Sequence, residues 1–111
     1  MMHFLKLSPL PFESIKAKEK TVEMRLYDDK RRLITPGDKI TFTNINTQEQ
    51  LICSVLKVNV FKNFSQLYSA YDKKAIGYKE WEDAKPEDMM QYYPLAKMQS
   101  NGVCAIEIKV D

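Results

Sequence analysis

A chain of 111 residues, 44% hydrophobic and 29% charged, has the make-up of one globular domain (residues 1–111) and excludes a disordered segment. Its formal net charge of +2 excludes the overall basic footprint of a protein that coats nucleic acid. Two cysteines at no metal-ligand spacing and a single histidine argue against a zinc centre, and nothing implies another metal or a cofactor.

Taken in chain order, His3–Leu7 alternates as a first strand, and the Ser8-Pro9-Leu10-Pro11 run breaks it. Phe12 and Ile15 repeat at helical spacing, which predicts a short helix over 10–18. In Lys20–Tyr27, apolar Val22, Met24 and Leu26 alternate with polar Thr21, Glu23 and Arg25. Strand side chains have period two, so the apolar set enters a core and the polar set lines another surface. Asp28–Arg32 is too polar for a core and reads as a turn or one helical turn, docked by Leu33 and Ile34. Thr35-Pro36-Gly37-Asp38 is a turn signal, with glycine at the position where a type II turn needs positive φ.

Lys39–Ile45 alternates as a strand, and Asn46–Glu49 makes a hairpin connection to a long strand over 51–61. That strand does not keep one phase, which predicts a bulge or sharp twist near Ser54 or Lys57. Ser65 is placed to cap a helix carrying Leu67, Tyr68 and Tyr71, and Ala75–Tyr78 forms a turn. Pro86 opens a second helix through Met89, Met90, Tyr92 and Tyr93; Gly102 ends the helical region, and residues 103–108 form the closing strand. Cys53 and Cys104 each sit inside an apolar strand and read as buried, reduced thiols. Five short strands with inserted helices fit an α+β fold built on a small, partly open antiparallel barrel of five to six strands. No stretch is long and apolar enough for a signal peptide or a membrane span, so the expected setting is the cytoplasm, away from membranes.

The Lys20-Thr21-x-Glu23-x-Arg25-Leu26 run, followed by Asp28, Lys30-Arg31 and Pro36-Gly37-Asp38-x-Ile40-x-Phe42, resembles the signature of ASCH domains, part of the PUA-like superfamily. Gly77-Tyr78, Glu87-x-Met89-x-x-Tyr92-Tyr93 and Gly102-Val103-x-Ala105-Ile106-x-Ile108 resemble the C-terminal half of small prokaryotic members, so the likeness spans nearly the whole chain. One departure is Lys18, where many members carry glycine. The resemblance implies a PUA-like barrel with a cleft between barrel and helices that holds RNA or a nucleotide. Some small bacterial relatives are amidohydrolases that remove the acetyl group of N4-acetylcytidine with a lysine, a threonine and a glutamate. Carried over, the lysine falls on Lys20, the threonine position on Glu23, and the glutamate on Glu87. Ribonuclease activity, also ascribed to ASCH proteins, would lean on basic residues instead.

Three ionisable side chains of alternating sign on one strand shift one another's proton affinities and pre-orient an anion or an amide. Lys20 and Glu23 of this strand, together with Glu87 as the resemblance implies, are the candidate catalytic residues. Thr21, Arg25, Lys30, Arg31, Tyr92 and Tyr93 are candidates for ligand binding, the arginines as forks for phosphate and the tyrosines as shelves for a base. Tyr68, Tyr71 and Trp81 could extend that shelf. The same alternation also fits a salt bridge on a barrel exterior, and the tyrosines also fit plain packing. The reading is a module that binds RNA or a modified nucleoside, as monomer or weak homodimer. Its alternatives are a hydrolase of a modified nucleoside or a ribonuclease, and more remotely a protein-interaction domain.

Overall fold

The computed structural model describes residues 1–111. Its strands are β1 (Met2–Leu7), β2 (Val22–Leu26), β3 (Lys39–Asn44), β4 (Gln50–Phe61) and β5 (Val103–Val110), in one sheet of order β1-β3-β4-β5-β2. Helices α1 (Pro9–Lys16) and α2 (Asp29–Arg32) flank β2, while α3 (Phe64–Ala70), a 3-10 helix (Pro86–Gln91) and α4 (Leu95–Asn101) fill the stretch between β4 and β5. The sheet curls into a half-barrel and the fold is α+β, as the patterning predicts. One pairing differs: β1 runs parallel to β3, while the other three pairings are antiparallel. Only β3 and β4 are joined by a tight hairpin. The chain leaves β1 through α1 and β2 before it returns as β3 in the same direction.

The curl depends on one residue in β4. Val55 faces Ile108 and Lys57 faces Glu107, so Leu56 is an extra residue in the ladder. This is the bulge that the broken phase of 51–61 predicts, and such insertions bend and twist the strand that carries them.

Both sides of the sheet are covered. Inside the half-barrel, Leu5, Phe12, Ile15, Ile40, Phe42, Cys53, Val55, Cys104, Ile106 and Ile108 form one core with α1 against it. On the opposite side Val22, Met24, Leu26, Val103 and Ala105 pack under Phe64, Leu67, Ile76, Met89 and Met98. Strand β5 contributes to both, which explains its unbroken apolar run. Cys53 and Cys104 are free and fully buried, and burial pushes their thiols up to about 11 and about 12.

Two helix boundaries differ from expectation. The cap of α3 is Asn63, whose side chain accepts from the Gln66 amide at 2.9 Å, so the helix begins at buried Phe64 rather than after Ser65. The helix expected from Pro86 through Tyr93 is a 3-10 helix that stops at Gln91, because Pro94 disfavours helical backbone at Tyr93, and a separate helix, α4, follows the proline.

Gly37 has φ +93°, and Asp38 N–H donates to the Thr35 carbonyl at 3.1 Å, which closes the turn that proline and glycine predict. A Cβ added at Gly37 meets nothing within 4 Å, so Gly37→Ala isolates the backbone cost. It is expected to lower stability by about 1 kcal/mol in urea denaturation.

After α1 the chain turns in a Schellman motif. Lys18 N–H donates to the Ile15 carbonyl at 2.9 Å and Glu19 N–H to the Ser14 carbonyl at 3.0 Å. The first of these donors, Lys18, has φ +64°, the conformation in which glycine is favoured. Lys18→Gly is therefore expected to raise stability by about 0.5–1 kcal/mol, and an unchanged thermal midpoint would contradict the assignment of strain.

Candidate functional site

Strands β1 and β2 are the two edges of the sheet, and no ladder joins them. Glu23 pairs with Ile106 and Arg25 with Cys104, so both side chains emerge on the barrel side of β2, at this open seam. Arg25 bridges it: Nη2 donates to the Lys6 carbonyl on β1 at 2.8 Å, while Nε donates to Glu23 Oε2 at 2.7 Å. Lys20 Nζ donates to Glu23 Oε1 at 2.8 Å, so both oxygens of one carboxylate carry a cationic partner. The Glu23 side chain is 4% exposed, and those of Lys20 and Arg25 are 9% and 13% exposed.

Burial alone would push the Glu23 carboxyl up. The Lys20 and Arg25 charges and their hydrogen bonds outweigh it and hold the group down to about 2. Burial works against the charged form of Arg25 as well, and the Glu23 charge reverses that, raising its proton affinity.

Lys20 is positioned from the far side of the chain. Thr21 N–H and Val22 N–H both donate to the Ala75 carbonyl at 3.0 Å, tying the start of β2 to the loop after α3. In that loop Gly77 has φ +108°, and a Cβ there would stand 3.0 Å from Lys20 Cδ. The absence of that carbon makes room for the lysine stem.

The three residues form the floor of a cleft of about 960 Å³ between α1, the seam and the loop and 3-10 helix that follow α3. Its volume is that of a small-molecule site. One wall carries Tyr68, Tyr78 and Asp88: the Tyr78 hydroxyl lies 2.8 Å from the Tyr68 hydroxyl and 2.8 Å from Asp88 Oδ2. Burial, then these two hydrogen bonds, push the Tyr78 phenol well above its usual range. Trp81 and Tyr92 stand at the rim, 83% and 58% exposed, and Tyr93 lines the cleft while stacking on Phe64 with ring centroids 6.3 Å apart. Four basic and five acidic side chains line the cleft, so its surface has almost no net charge. No group of three or more His, Cys, Asp or Glu side chains is arranged to hold a metal ion.

Of the residues singled out in the sequence, Lys20, Glu23, Arg25, Tyr92 and Tyr93 come together here, with Tyr68 and Trp81. Four do not. Thr21 precedes β2, is exposed and lies outside the cleft lining. Lys30 is exposed on α2, and Arg31 is paired with Asp28 at 2.7 Å in the cap of that helix; neither lines the cleft. Glu87 lines a separate groove of about 380 Å³ with Lys62, Phe64 and Leu95. Its neighbour Asp88 is the carboxylate that faces the cleft. Tyr71 is held elsewhere by Asn59 and Glu107. Sequence reasoning missed Asp88 and Tyr78, although the Gly77-Tyr78 pair was visible as a signal.

The ASCH domain family profile matches residues 5–110. No curated protein matches the chain. Among solved structures, the crystal structure of the hypothetical protein PH0355 is 30% identical, covers all of both chains and superposes with a TM-score of 0.85. The solution structure of PF0455 from Pyrococcus furiosus is 28% identical over 99% of this chain and 97% of its own, with a TM-score of 0.77. A mutant form of ZmASCH from Zymomonas mobilis, 14% identical over 97% of this chain and 68% of its own, shares the fold at a TM-score of 0.70. With a profile match over almost its full length and the half-barrel that its relatives share, this chain belongs to the ASCH domain family.

Proposed function

We propose that this domain binds a nucleoside, free or as an unpaired residue of an RNA, with the base in the cleft above Glu23. The observation that carries this is the combination of a fixed polar floor with an aromatic rim. Lys20, Glu23 and Arg25 are locked by their own ion pairs, and Trp81 and Tyr92 offer open π-faces on which any base can stack. The balanced charge of the cleft favours an uncharged nucleoside there over a run of phosphates, which would need a basic track.

Binding is preferred to hydrolysis on chemical grounds. A general base works best with a proton affinity near the ambient pH, and Glu23 is held near 2 with both oxygens engaged. The threonine position of the amidohydrolase relatives is occupied by Glu23 itself, and Glu87 faces another groove. The test is a titration followed by backbone amide NMR, with the four ribonucleosides, N4-acetylcytidine and a short single-stranded RNA. Shifts confined to residues 20–25, 77–82 and 88–93, with little dependence on salt, support the reading. Shifts spread over Lys16, Lys18 and Lys30–Arg32 and abolished by salt would overturn it, as would release of acetate from N4-acetylcytidine at a catalytic rate.

A further inference from the structure

The wall of the cleft contains a directional chain of hydrogen bonds. A tyrosine hydroxyl has one proton to donate, and a carboxylate only accepts. Between Tyr78 and Asp88 the proton therefore belongs to Tyr78 and points at Asp88 Oδ2, 2.8 Å away. With its proton so used, the Tyr78 oxygen accepts from Tyr68 at 2.8 Å. The Lys85 carbonyl, 3.3 Å from the same hydroxyl, is a longer alternative acceptor and does not change this order, because the charged acceptor forms the stronger bond. The chain runs from Tyr68 through Tyr78 to Asp88 and ends there, since Asp88 Oδ1 has no partner in the protein.

This end differs from the floor of the cleft. Both oxygens of Glu23 are already filled by Lys20 and Arg25, so Glu23 has little left to offer a ligand. Asp88, partly buried on the wall and fixed on one side by Tyr78, presents a free acceptor. Resting on the nucleoside reading above, we infer that Asp88 is the specificity-determining residue of the cleft: its free oxygen accepts from the exocyclic amino group of a base, so the ligand is an amino-bearing nucleoside rather than its carbonyl counterpart. Tyr78 is the positioning residue that holds the carboxylate in that orientation.

Matched ligands test this, because cytidine and uridine, like adenosine and inosine, exchange an exocyclic amino group for a carbonyl, with the adjacent ring nitrogen changing from acceptor to donor. The wild-type protein is expected to bind the amino member of the better-bound pair about tenfold more tightly by calorimetry, as a polar site left facing a wrong partner discriminates strongly. Asp88→Asn should reverse the preference. The Tyr78 hydroxyl keeps the amide oxygen on its own side and turns the amide NH₂ toward the ligand, where it favours a carbonyl. Tyr78→Phe, with Asp88 intact but loosened, should reduce the discrimination without reversing it. A circular-dichroism melt shows that each variant is folded. Equal binding of the paired nucleosides, or a preference unchanged by Asp88→Asn, overturns the role of Asp88 and leaves the nucleoside reading standing. Failure of every nucleoside to bind the wild-type protein overturns both.

Discussion

Glu23→Ala is expected to lower the free energy of unfolding by about 3–5 kcal/mol, the usual cost of breaking a buried ion pair from one side. Lys20 and Arg25 are nearly as buried as Glu23, and their only charged partner disappears. Arg25 keeps its bond to the Lys6 carbonyl, which accepts but carries no charge to match it. Urea denaturation reads the effect as a lower midpoint at an unchanged slope, and a loss below about 1 kcal/mol would show that the three charges are well solvated. The same group leaves a mark on pH dependence. Its folded value of about 2 lies below an unfolded value of about 4.3, so it releases its proton more readily in the native state. The stability it contributes is fully present above the unfolded value and is lost as pH falls through the folded one. Between pH 5 and pH 2 the wild-type protein should therefore lose about 3 kcal/mol that Glu23→Ala does not lose, so the two stability curves converge toward acid.

The second large effect is expected at a residue without a side chain. Gly77→Ala puts a methyl group 3.0 Å from Lys20 Cδ and 3.5 Å from Lys20 Cε, at a φ of +108°. A free lysine stem would swing aside. This one is buried and pinned at its tip by Glu23, so the clash is relieved by pulling Nζ off the carboxylate. The expected loss of stability is about 2 kcal/mol, of which about half is backbone strain. Gly37→Ala supplies the control, because it has a similar backbone conformation and no contact. Nucleoside affinity should fall severalfold in Gly77→Ala and stay unchanged in Gly37→Ala. Equal stability losses and equal affinities in the two variants would mean that Gly77 matters only to its own loop.

What the sequence made legible was local. The period-two run through Val22, Met24 and Leu26 placed Glu23 and Arg25 together on the other side of β2, where the structure has them. The lost phase among Ile52, Val55, Val58 and Val60 announced the bulge found between Val55 and Lys57, because a strand that slips by one residue changes faces. Partner choice was not legible: nothing in His3–Leu7 says that its neighbour will be β3, running parallel. The adjacent carboxylates Glu87 and Asp88 show a second limit. They lie in a 3-10 turn, whose three residues per turn send neighbours to well-separated directions, so a one-residue difference decides which groove each enters. The basic run after β2 lies outside the cleft for a related reason. Arg31 is consumed by the Asp28 cap and Arg32 lies over the Tyr27 ring, so both have local structural partners.

The position of β2 at the sheet edge has a kinetic consequence. Its only ladder partner is β5, so Val22 waits for Glu107 and Leu26 for Val103 before either enters the sheet. Closing so long a loop costs entropy before any contact repays it, and chains dominated by such distant pairings fold in milliseconds to seconds. The strand that bears Lys20, Glu23 and Arg25 on or beside it is thus made early and secured late. Until β5 docks, three charges that end up buried remain in water. Desolvating them is expected to follow the docking of β5, and loosening of the β2–β5 ladder is the opening expected to return them to solvent.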